Sequence, residues 1–195
     1  TQCDTIPFMH DSHVHLTREP LASNLPSIIN SFLNNGGTHI LSQATQSDDF
    51  DTNLHLHNLY PQVIQTAIGI HPTTFEDMHI ENIFIEGQKE INTFEKYIQK
   101  HNKEIRAIGE CGLDYYQFTL NDSYTADVKE QLKEIQKLSF RKHLQLALKY
   151  NLPLSIHARD VAGSDQCVND VIRIVCEEGN GRLRGVFHSY TGNIL

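Results

Sequence analysis

The chain is poor in cysteine. Its four, Cys3, Cys111, Cys167 and Cys176, fall at no zinc-ribbon or C-x-x-C spacing, and at 195 residues it needs no disulfide staple. Reduced thiols are expected, and Cys111 should point away from its neighbour Glu110 into helix packing. Positive charge is also scarce: 16 Lys and Arg stand against 24 Asp and Glu, a net −8. That balance excludes a broad non-specific grip on nucleic-acid phosphates. It leaves room for a short, end-directed contact in which metal ions and one arginine hold a single phosphate. No apolar run reaches transmembrane length, and no charged-then-apolar leader precedes a cleavage site. The expectation is a soluble cytoplasmic protein with nuclear access open, no membrane partner, and a single domain over 1–195 without a linker.

What the chain has is histidine at strand ends. Four segments carry a metal-capable side chain in a compact motif: Asp11-Ser12-His13-Val14-His15-Leu16, Gly109-Glu110-Cys111-Gly112-Leu113-Asp114, Ser155-Ile156-His157-Ala158-Arg159 and Val186-Phe187-His188-Ser189-Tyr190-Thr191-Gly192. Side chains two apart in a strand share a face, so His13 and His15 can hold one cation, with Asp11 aligned behind them. With 12 histidines in the chain a lone His-x-His pair means little, and His55-Leu56-His57 is a second one. That pair lies in a polar helical stretch and is expected to be solvated surface. The first pair differs because it follows an apolar entry, Ile6 and Phe8, and recurs with three other strand ends.

Strand-like runs lie at about Phe8–His15, Thr38–Ala44, Val63–Ile70, Ile105–Cys111, Leu152–His157 and Leu183–His188, separated mostly by helical patterns. Leu25, Ile28, Ile29, Phe32 and Leu33 keep helical spacing before Asn35-Gly36-Gly37, and Val168, Val171, Ile172 and Val175 repeat it before Gly179. Between them, Val128 to Leu148 predicts one long helix or two in series, ending before Pro153. Alternation of this kind predicts βαβ units in an α/β fold, a TIM-type barrel whose strand C-termini converge on one mouth. A closed eight-stranded barrel takes about 250 residues. The expectation is therefore a barrel truncated after about six strands, with the last two βα units absent.

Taken in order, the motifs resemble the TatD family of metal-dependent deoxyribonucleases, within the amidohydrolase-like barrels. Gly69-Ile70-His71-Pro72 is similar to the family's G-x-H-P, Gly109 to Tyr115 to G-E-x-G-L-D-Y, Leu152 to Arg159 to [LP]-x-x-I-H-x-R, and Gly185 to Gly192 to G-x-x-H-x-[FY]-[TS]-G. The resemblance implies His13 and His15 as ligands of one divalent ion, Glu110 as a ligand that can bridge two, and His157 and His188 as ligands of the second. Mixed imidazole and carboxylate donors suit Zn or Mn, with Mg also accepted in the family. Glu110, His157 and His188 are the expected catalytic set. Arg159 offers a donor fork to phosphate, and His71 is placed to bind the same group. Asp114 shares strand parity with Glu110 but fits a loop anchor or helix cap equally. Tyr115 and Tyr116 fit either stacking on a nucleobase or packing against the next helix.

The departures are local. Phe140-Arg141-Lys142-His143-Leu144 stands where the family often reads F-x-x-Q-L, and Ala158 replaces a small hydroxyl residue. No E-T-D-x-P-like segment, which supplies the family's late aspartate, occurs before Leu195. Implied overall is hydrolysis of DNA phosphodiesters, as a 3′–5′ exodeoxyribonuclease. An amidohydrolase acting on a C–N or ester bond is an alternative, opposed by the lack of a lysine beside Glu110. A catalytically silent barrel fragment is the other.

Overall fold

The apolar runs become six strands in the computed structural model, which describes residues 8–190. β1 (Met9–Val14), β2 (Gly37–Gln43), β3 (Ile64–Ile68), β4 (Ala107–Asp114), β5 (Leu154–Arg159) and β6 (Gly185–Phe187) form one parallel sheet in sequential order. The expected bounds hold to within about three residues. Cys3, Ile6 and the Thr191-Gly192 end of the last motif lie outside the described residues.

The sheet curls. β1 and β5 are four steps apart, which in a flat sheet would separate them by about 19 Å. Instead His13 Nδ1 of β1 lies 3.3 Å from Ser155 Oγ of β5, and the His13 ring stacks on His188 just beyond β6. Six strands thus enclose an arc of a β/α barrel, with strand C-termini gathered at one mouth.

Helices cover the outer face: α1 (Leu25–Asn34), α2 (Phe50–Leu59), α3 (Ile83–His101), α4 (Tyr116–Thr119), α5 (Ala126–Tyr150) and α6 (Gln166–Gly179). The stretch expected as one or two helices is the single helix α5. Thr125 starts it by accepting the Val128 N–H, and Asn151, left-handed at φ 55°, ends it before Pro153. The main core packs α3, α5 and α6 against the outward residues of β4 and β5, such as Cys111, Leu113 and Ile156. A smaller cluster lies under α1 and α2. Cys111 is buried in the main core, as expected.

Burial is graded across the sheet. Every residue of β4 is buried, whereas β1 is mostly exposed and β6 fully so. The His55/His57 pair departs in part from expectation. His55 is exposed on α2, but His57 is half-buried and its Nδ1 donates to the Ile64 carbonyl at 2.7 Å, tying α2 to β3.

Candidate metal centre

β4 is the axis of the site. Glu110, Gly112 and Asp114 alternate with Cys111 and Leu113, so the acidic pair faces the barrel interior while its neighbours pack outward. Gly112 pairs with His157 of β5 at a backbone φ of 146°, and a Cβ there would collide with the His157 carbonyl. Only glycine permits that approach, and it brings His157 between the two carboxylates.

Glu110 is 2% exposed and surrounded by imidazoles. Its Oε2 lies 3.1 Å from His13 Nε2 and 3.3 Å from His15 Nε2, and its Oε1 lies 3.0 Å from His157 Nδ1 and 3.8 Å from His71 Nε2. Each carboxylate oxygen therefore serves one cluster, and two possible ion positions, His13–His15–Glu110 and His71–Glu110–His157, share this residue. They lie in a cavity of about 490 Å³ that Arg159, His188 and Ser189 also line.

The far side of each ring discriminates among the histidines. His15 Nδ1 donates to the Gln43 carbonyl at 3.1 Å, His13 Nδ1 meets Ser155 Oγ at 3.3 Å, and His157 Nε2 meets Asp114 Oδ2 at 2.9 Å. Metal-binding imidazoles are commonly anchored in this way, with one nitrogen held by the protein and the other turned to the ion. His71 is the reverse. Its Nδ1 accepts the Thr73 N–H at 3.3 Å, so the proton sits on Nε2, the nitrogen facing Glu110. In that tautomer His71 offers a donor rather than a lone pair, which fits substrate better than metal.

Electrostatics follow the geometry. Burial alone would raise the Glu110 pKa, but hydrogen bonds from His13, His15 and His157 hold it well below the usual carboxylate range. Burial opposes protonation of His157, yet Asp114 and Glu110 together lift it to about 9. His15 is raised, chiefly by its Glu110 bond. His71 is pushed down to about 4, by burial first and then by the neighbouring His157. A buried carboxylate whose ion-pair partners among the described residues are imidazoles, two of them with Nε2 atoms 3.3 Å apart, is a donor set that fits a divalent cation.

His188, expected as a ligand with His157, lines the same cavity. It stacks on His13 with ring centroids 3.4 Å apart and contacts Ser189 Oγ at 3.0 Å, outside both clusters among the described residues. Asp11 is also peripheral: its carboxylate accepts the His13 backbone N–H at 3.0 Å and is exposed. Asp114 joins the site as His157's partner and is a helix cap as well. Its Oδ1 accepts the N–H groups of Tyr116 (2.9 Å) and Gln117 (3.1 Å). The buried amide of Gln136 clamps its backbone from both sides. Gln43 acts through its backbone carbonyl, Ser155 across the curled sheet and Gln136 from α5 onto the β4 backbone, contacts that residue type and spacing do not display.

A curled parallel sheet with a histidine–carboxylate centre at its strand C-termini defines a class, the β/α-barrel proteins built around metal ions. Within it, the chain matches the TatD-related DNase family over residues 10–194 and belongs to that family. An uncharacterized metal-dependent hydrolase of Buchnera aphidicola is 29% identical over 199 residues, spanning 95% of this chain and 63% of that protein. YabD of Bacillus subtilis, also described as an uncharacterized metal-dependent hydrolase, is 30% identical over 185 residues (95% and 62%). Human deoxyribonuclease TATDN3 is 22% identical over 182 residues (93% and 60%). The crystal structure of YJJV, a TatD homolog from Escherichia coli, superposes with a TM-score of 0.74 at 22% identity, covering 96% of this chain and 62% of that one. The chain thus spans under two thirds of the length of these relatives. Among the described residues no helix is long and apolar enough to cross a membrane.

Proposed function

We propose that the protein is a metal-dependent hydrolase of DNA phosphodiester bonds, acting from the 3′ end, in which Glu110 bridges two ion positions. The observation that carries this reading is the buried Glu110 carboxylate, one oxygen turned to His13 and His15 and the other to His157 and His71. His13, His15, Glu110 and His157 would hold the ions. Divalent ions bound there would polarise a phosphate oxygen and acidify a water.

The chain's own residues do the rest. Asp114 fixes His157 from behind at Nε2, leaving Nδ1 on the Glu110 side, where the ion would be held. His71, its proton held on Nε2 by Thr73, donates to a phosphate oxygen. Arg159 supplies a fixed positive charge at the cavity wall. His188 orders His13 by stacking and closes the wall beside it. An amidohydrolase built on a carboxylated lysine finds no support, since no lysine lines the cavity among the described residues. That DNA is the substrate is supported by relatives named deoxyribonucleases, such as human TATDN3.

The test is to incubate the protein with end-labelled single- and double-stranded DNA, and with small amide and ester substrates, across Mg, Mn and Zn. The expected outcome is metal-dependent shortening from the 3′ end. Turnover of an amide or ester with DNA left intact would contradict the reading.

A further inference from the structure

Arg141 pairs with Glu177 and Glu178, and Arg173 with Asp170 and Glu177, so those charges are neutralised on the surface. Arg159, like Arg106 and Arg184, makes no ion pair among the described residues, but it differs from them in lying against an aromatic ring. Its guanidinium lies over the Tyr116 ring, 3.9 Å from the centroid, at the wall of the cavity that contains Glu110. A carboxylate partner would orient an arginine and cancel its charge. An aromatic face orients it and leaves the charge available to an anion.

The platform is itself fixed. Asp114 caps α4 through the N–H of Tyr116 and of Gln117, and β5 sets Arg159 opposite Asp114 in register. The Arg159 carbonyl accepts the Tyr115 N–H at 2.9 Å. The adjacent tyrosines have separate tasks. Tyr115 is 2% exposed and its hydroxyl donates to Asp170 at 2.8 Å, anchoring the segment to α6. Tyr116 is half-exposed and presents its ring to Arg159. That face of Tyr116 is covered by the guanidinium and is not free to stack on a base.

We propose that Tyr116 is a positioning residue for anion binding: it holds the Arg159 guanidinium, unneutralised, where a phosphate oxygen enters the site. This rests on the phosphodiesterase reading for the identity of the substrate, but the pairing itself requires only an anion. Removing a cation–π contact of 0.5–1 kcal/mol predicts about a two- to fivefold loss of anion affinity.

The chain contains no tryptophan, so Tyr116→Trp installs a single reporter fluorophore at the platform. With Mn²⁺ bound, its emission should shift on adding inorganic phosphate, and the shift should vanish when Arg159→Ala is added. In the wild-type background, Tyr116→Ala should weaken phosphate and labelled oligodeoxynucleotide binding two- to fivefold. Tyr116→Phe should restore it, and Mn²⁺ affinity should stay within about twofold in calorimetry. Added to Arg159→Ala, Tyr116→Ala should cost nothing more. Equal losses in both backgrounds, or Mn²⁺ affinity falling in parallel, would overturn the proposal. Intact coupling on phosphate with no cleavage of DNA would support it while overturning the nuclease reading.

Discussion

At the scale of single residues, the histidines separate by what lies behind them. Residue types and spacing put His13, His15, His71, His157 and His188 near one mouth, and all five line one cavity. Their roles depend on partners the sequence does not display, such as the Gln43 carbonyl behind His15 or the Thr73 N–H behind His71. Strand parity aligned Asp114 with Glu110. That it both caps α4 and holds His157 needs the β4–β5 register. Arg159 cannot ligate a cation, so Arg159→Ala should weaken DNA use about tenfold or more while leaving Mn²⁺ affinity unchanged, with Lys rescuing only in part. Parallel kinetic and calorimetric titrations check this. His143, the residue at the family's glutamine position, is fully buried, accepts the Ile70 N–H at 2.9 Å and donates to the Ser139 carbonyl at 2.8 Å, which fixes it neutral. Burial lowers its pKa from 6.5 to about 4. The unfolded chain therefore takes up a proton below pH 6.5 that the folded one refuses until about pH 4, and stability falls with pH across that window and is flat above it. The loss attributable to His143 is on the order of 3 kcal/mol. His143→Gln, whose amide oxygen can still accept from Ile70, should flatten this part of the pH dependence in denaturant melts.

At the scale of elements, all six strands are legible because apolar runs of the right length end in polar motif residues. β6 is shorter than the Leu183–His188 run, with three residues paired to β5. The sequence allows α5 to be one helix or two because the pattern weakens in its polar middle. The structure shows one helix whose buried polar residues Gln136, Ser139 and His143 face inward and bond backbone groups or pack there. The β4–β5 pairing is the element contact on which the site depends. Gly112→Ala should therefore destabilise the fold by about 2 kcal/mol or more, since the added methyl meets the His157 backbone at a φ that L-residues avoid. Thermal melts measure the loss, and an unchanged Tm would mean that the two strands are not packed as described.

At the scale of the molecule, six strands make an open arc. Among the described residues β1 and β6 each pair on one side only, and Phe8, Met9, Val186 and Phe187 are exposed along them. Unpaired strand edges flanked by apolar surface invite association. We expect the protein to self-associate in light scattering, increasingly with concentration, and a scattering mass that stays at one chain across the range would contradict this. The arc nevertheless contains a centre built from four strands, and its key member lies on the most buried of them. Isothermal titration of Mn²⁺ into the wild-type chain and into Glu110→Gln tests that centre most directly. Glutamine keeps the shape and removes the charge that both clusters share. The account predicts saturable binding by the wild type and a loss of about 100-fold or more in the variant, with the far-ultraviolet circular dichroism unchanged. Equal Mn²⁺ affinity in the two proteins would contradict it.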